Sequence, residues 1–177
     1  MTPEKRIFVA AEAESKDRPT CVILGSFNKF YQEIQDTIVA LEKSGIKVLA
    51  PNIGKIVKTE KGFQILDSDA SLDPKKIEVG FFRKALPADA VYIVNPGGYA
   101  GDTVAGEMGI LIGHGNPIYS MEPLDSSLEG HAVWQSISKI IKPYDLPAFT
   151  HMLKSGNLDT EGYFWYKAKD LREPVWF

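Results

Sequence analysis

Four short apolar runs, alternating with segments that carry helical stripes or helix-start signals, constrain this chain's fold more than any other feature. Thr20–Leu24 is apolar with β-branched members and ends at Gly25, the pattern of a buried central strand. Tyr31, Ile34, Ile38 and Leu41 then repeat at helical spacing over Phe30–Ser44, and Gly45 stands where a C-cap belongs. Ile46–Ala50 gives a second strand, ended by Pro51. Residues 52–70 lack a strong period, and Gly62–Leu66 reads either as a short strand or as an excursion over the site. Asp73-Pro74 gives an N-cap and a first-turn proline for a helix reaching Leu86. Asp89–Val94 is a third strand, residues 103–114 a helix, Pro117–Met121 a fourth strand, and residues 127–141 a further helix. Right-handed crossovers turn this alternation into a mainly parallel sheet covered on both faces. The expected fold is a single-domain α/β, Rossmann-like or flavodoxin-like three-layer sandwich. It comprises an N-terminal segment over residues 1–19, a domain over 20–142, and an aromatic-rich extension over 143–177. The extension's aromatic side chains suit packing on the same domain or a subunit interface.

Composition narrows the function classes. With 177 residues the chain has the length of one domain and enough core to fold alone. A net charge of -3 offers no basic field for a nucleic-acid polymer, though a single nucleotide stays open. Cys21 is the one cysteine, which removes intrachain disulfides and cysteine-rich zinc sites, and its apolar setting reads as an inert buried thiol. No stretch reaches the ~18 apolar residues of a membrane span, and the N-terminus is a poor signal peptide, so the expectation is a cytoplasmic protein. His114, His131 and His151 are dispersed and form no metal-binding spacing. Neither a nucleophile elbow nor a phosphate loop appears.

In an open parallel sheet, ligands sit beyond the carboxyl ends of the strands, where strand order reverses. That rule selects Gly25-Ser26-Phe27 after the first strand and Asn95 to Gly106 after the third. Gly97, Gly98 and Gly101 permit close backbone approach, and the helix starting near Asp102 or Thr103 turns free N–H groups to the same space. Glu107 lies just inside that helix, between Gly106 and Gly109. Gly106, Gly109 and Gly113 form a side-chain-free stripe suited to a close helix contact.

In these residues the chain resembles the nucleoside 2-deoxyribosyltransferase family, which includes deoxynucleoside 5′-monophosphate N-glycosidases. Gly25-Ser26-Phe27, Asn95-Pro96-Gly97-Gly98-Tyr99-x-Gly101, Glu107-x-Gly109 and Gly115-Asn116-Pro117-Ile118 carry the likeness, over roughly residues 20–125. The resemblance implies Glu107 as a nucleophile at the anomeric carbon of a nucleoside or its 5′-monophosphate. It implies binding by Gly25, Ser26, Phe27, Asn95, Gly97, Gly98, Tyr99 and Gly101, with Phe27, Phe30 or Tyr99 stacking on the base. A homo-oligomer, and a reaction that needs no metal or organic cofactor, follow from the same likeness. That family carries an acidic residue in the helix before the third strand, where this chain has Phe81-Phe82-Arg83. Asp102 is the replacement candidate, with a plain N-cap as its alternative; Asp67, Asp69 and Asp73 stand behind it. Asp89, at the far end of its strand, reads as structural, and Asn116 replaces a lysine with an effect expected only at the surface. Two other readings stay open. Pro96-Gly97-Gly98 with Thr103 and Glu107 is similar to the Pro-Gly-Gly-x-Gly-Thr-x-x-Glu motif of nucleotide phosphoribohydrolases, with the glutamate displaced. The Phe81-Phe82 departure instead suits a non-catalytic nucleotide-binding or sensor protein.

Overall fold

The apolar run at Thr20–Gly25 (β1) forms the middle of a parallel sheet, because both its faces are covered. Cys21 and Ile23 enter one core, Val22 and Leu24 the other. The computed structural model describes residues 18–125 and 137–156. Within them follow a helix at Phe27–Ser44 (α1) and strands at Lys47–Ala50 (β2), Ile56–Glu60 (β3) and Phe63–Leu66 (β4). Next come a helix at Pro74–Ala85 (α2), a strand at Ala90–Val94 (β5), a helix at Asp102–His114 (α3) and a strand at Ile118–Ser120 (β6). Ile137–Ile140 (β7) and a helix at Leu146–Ser155 (α4) complete the order. The main sheet is ordered β2-β1-β5-β6-β7, with every pairing parallel. This is the expected Rossmann- or flavodoxin-like α/β fold.

α1 and α4 cover one face, where Ile34, Ile38 and Leu41 meet Tyr92, Tyr119, Phe149 and Leu153. α2 and α3 cover the other, where Ala85, Val104, Met108 and Leu111 meet Val91, Ile93 and Ile118. β1 leads out to β2 on one side, and the chain returns to β5 on the other, so strand order reverses between β1 and β5. The two helix ends were readable. Gly45 takes a left-handed φ of 100° after α1, and the Asp73 side chain accepts from Lys75 N at the start of α2. Asp89 is structural as expected: Thr20 N and Oγ1 both donate to its Oδ2 at 2.8 Å. Cys21 is fully buried, and burial pushes its thiol well above the usual range, consistent with an inert side chain.

Three expectations need correction. Ile137–Ile140, expected within a helix over 127–141, is a strand that extends the sheet along β6. Apolar positions at 137, 140 and 141 suit a helical stripe, but an open parallel edge supplies backbone partners that outweigh that periodicity. Residues 126–136 of that expected helix lie outside the described residues. Over its first part the extension packs on the same domain: Phe149 of α4 is buried against Tyr92 and Tyr119, at ring distances of 5.9 and 4.9 Å. Its later aromatic residues, Tyr163 to Trp176 and Phe177, lie outside the described residues, as does the segment 1–17. The Gly106, Gly109 and Gly113 stripe makes no close contact; a Cβ at any of the three meets nothing within 4 Å among the described residues. Asn116 is buried, not superficial. Its Nδ2 lies 3.2 Å from the carbonyls of Ala85, Leu86 and Ala88, and its Oδ1 faces His114 Nδ1 at 3.1 Å. It thereby ties the end of α2 to the turn before β6. Among the described residues no helix is long and apolar enough to cross a membrane.

Candidate functional site

A cleft of about 480 Å³ opens where strand order reverses, at the carboxyl edge of β1 and β5. Its floor is the end of β1 through Gly25, where two backbones approach closely. A Cβ on Gly25 would lie 3.1 Å from Val94 O and 3.0 Å from Ile34 Cδ1. Ser26 and Phe27 continue the wall into α1. Ser26 sits at the N-cap position without capping through its side chain, while its carbonyl accepts from Lys29 N and Phe30 N at 3.0 and 2.8 Å. Ser26 lines the cleft, and its hydroxyl has no hydrogen-bond partner among the described residues.

The opposite wall is α3. Gly101 is the N-cap, so Asp102 is the first helical residue rather than a cap, and it complements the helix dipole from an exposed position in the lining. Thr103, Val104 and Glu107 follow it along the cleft. Glu107 is only partly exposed. Burial, reinforced by the nearby charge of Glu78, pushes its carboxyl up to about 7. A carboxyl poised near neutrality inside a cleft is a mark of functional groups, because both protonation states are accessible there.

Glu78 is the residue that sequence reasoning missed. It lies on α2 three residues before Phe81 and lines the cleft with Ile77 and Phe81. The cleft thus has a carboxylate from α2 about one turn before Phe81-Phe82-Arg83. The available signal was helical spacing, since Ile77, Glu78 and Phe81 share one face at i, i+1 and i+4. Of the other carboxylates considered, Asp69 lines the cleft while its Oδ2 accepts from Leu66 N at 2.8 Å. Asp67 accepts from Lys55 N and Asp73 caps α2, so both are occupied in local turns.

The cleft is roofed by the β3–β4 hairpin, which brings Lys61, Phe63 and Gln64 into the lining. Gly62–Leu66 is therefore both a strand and an excursion over the site. The hairpin is docked on α1. Asn28 Nδ2 donates to Gly62 O at 2.8 Å, Gln64 Nε2 donates to Asn28 Oδ1, and Tyr31 OH donates to Gly54 O at 2.5 Å. Tyr99 closes one side. Its ring packs edge-on to Phe30 at 6.0 Å and carries Lys29 Nζ 3.5 Å from its centre.

Not every expected binding residue faces the cleft. Asn95 is fully buried, and its Nδ2 donates to Glu122 O while its Oδ1 accepts from Glu122 N, joining the end of β5 to the end of β6. Gly97 and Gly98 do not line the cleft either. Gly98 has φ 81°, and a Cβ there would meet Pro123 O at 2.5 Å; its own carbonyl accepts from Asp125 N. These residues shape the loop that sets α3, and the required close approach is to the protein's own chain. Phe30 supports Tyr99 from outside the lining. Gly25, Ser26, Phe27, Tyr99, Gly101, Asp102 and Glu107 line the cleft together. Among the described residues no group of three or more histidine, cysteine or acidic side chains is arranged to hold a metal ion. No protein-family model and no curated protein matches this chain.

Proposed function

We propose that this protein cleaves or transfers the N-glycosidic bond of a nucleoside or its 5′-monophosphate, with Glu107 as nucleophile. The observation that carries the reading is Glu107 itself, a desolvated carboxylate beside a second acidic group in a cleft at the sheet's switch point. The volume of about 480 Å³ falls within the range of small-molecule sites. In this reading the ionised Glu107 attacks the anomeric carbon, the base departs with the electrons of the C–N bond, and a glycosyl ester remains. Water or a second base resolves the ester, and Glu78 accepts the proton released in that step. Ser26 and the open amides at the start of α1 hold sugar oxygens, while Phe27, Phe81 and Tyr99 offer rings to the base. Glu78 places a carboxylate in the cleft near residues 81–83, which supports an enzyme over a binding-only protein.

The test is chromatographic detection of free base from a panel of nucleosides and their 5′-monophosphates, with and without an acceptor base. Wild type should release base, and Glu107→Gln should fall by about a thousandfold or more, the size of loss seen when a nucleophile is removed. Equal release by both proteins would remove Glu107 from the reaction.

A further inference from the structure

The cleft combines charge and aromatic surface in a way that bears on which base it takes, given the N-glycosidic reading above. Among the described residues, Asp69, Glu78, Asp102 and Glu107 line it against a single cation, Lys61. Lys61 is exposed at the hairpin turn, and no described arginine lines the cleft. Glu78, Asp102 and Glu107 have no hydrogen-bond or ion-pair partner among the described residues. The rings of Phe27, Phe63, Phe81 and Tyr99 share the same walls.

Neutral bases ask only for rings and hydrogen-bonding groups, and phosphate groups ask for arginine, lysine or amide clusters. Aromatic rings interleaved with unpaired carboxylates are the chemistry that recognises an organic cation. Tyr99 already shows the attraction, with the Lys29 ammonium 3.5 Å from its ring centre and Lys29 itself outside the lining. The geometry points to a substrate whose base carries a fixed positive charge, such as a pyridinium or N-alkylated purine N-glycoside.

The chemistry balances without a proton donor. The Glu107 carboxylate forms the bond to the anomeric carbon as the C–N bond breaks, and its electron pair neutralises the cationic ring, which leaves as a neutral heterocycle. Water then attacks the ester, Glu78 takes its proton and passes it to solvent, and free sugar departs. A carboxyl held near neutral pH must ionise to pair with the cation. Asp69, Glu78 and Asp102 favour the cation around it, while Lys61 opposes it.

Binding and turnover test this separately, on the whole protein. 1-Methylnicotinamide and nicotinamide share a ring and differ in charge. Calorimetry should show the cation bound at least about tenfold more tightly. Its affinity should rise as pH passes through about 7 and level only above that, once Glu107 is fully ionised. Asp102→Asn and Glu107→Gln should each weaken the cation and leave nicotinamide unchanged, with melting temperatures showing that both variants fold. In turnover, nicotinamide riboside should exceed uridine and uridine 5′-monophosphate in kcat/KM. Equal affinity for the two rings, or binding of neither, overturns the inference. Uridine or its monophosphate cleaved as well as the cationic riboside overturns it too, while the N-glycosidase reading stands. Cation binding with no cleavage of any N-glycoside sinks the reaction and leaves the cationic subsite in place.

Discussion

Glu107 pays for its position in stability, and the sign of that cost can be measured. Its folded-state pKa of about 7 lies above the ordinary 4.5, so the folded protein binds its proton more tightly than the unfolded chain does. Its contribution is therefore most favourable below about pH 4.5 and is lost as pH rises through 7. Replacing it with the uncharged Glu107→Gln should stabilise the protein at pH 8 by up to about 3 kcal/mol, with the gain fading towards pH 4.5. Denaturant unfolding at several pH values checks this, and a variant less stable than wild type at pH 8 would contradict it. Gly98 is a residue of the opposite kind, needed for backbone alone. Gly98→Ala must carry a side chain at φ 81° and 2.5 Å from Pro123 O. It should cost about 1–3 kcal/mol or more, read by the unfolding midpoint. The glycines at 97 and 98 are legible in sequence as points of unusual backbone, but one sequence does not say what approaches them. At Gly98 it is the 123–125 loop, Gly97 meets nothing within 4 Å among the described residues, and Asn95 is committed to Glu122.

At the scale of elements, the hairpin is the part that belongs to the site without belonging to the main sheet. β3 and β4 pair only with each other in the sheets, and side chains of α1 hold them over the cleft. Asn28 makes two of those bonds from an exposed position, so its loss should leave global stability within about 1 kcal/mol. Asn28→Ala should instead speed amide hydrogen exchange across Ile56–Leu66 and raise KM more than it changes kcat. Unchanged exchange there would mean that the hairpin is held by other contacts. β1, α1, β2, α2, β5, α3 and β6 are legible because buried parallel strands read as short apolar runs and their helices carry caps. β7 is not, because an edge strand of four residues takes its structure from the strand beside it. Glu78 escaped for a related reason. Position along α2 is clear, but which turn faces the cleft depends on how α2 seats across β2 and β1.

For the whole molecule, the topology does most of the functional work. Reversal of strand order between β1 and β5 leaves a gap between the helices of one face, and α2, α3 and the hairpin close it into a cleft. The place of the site could thus be inferred from strand alternation alone, whereas its second carboxylate and its roof required the packed structure. The proposed reaction requires that Glu107 become covalently glycosylated. Mass spectrometry of protein quenched during turnover tests it most directly. The sugar's added mass should fall on the peptide containing Glu107 and vanish in Glu107→Gln. Steady base release, with that peptide unmodified and the mass on another residue, would contradict the account.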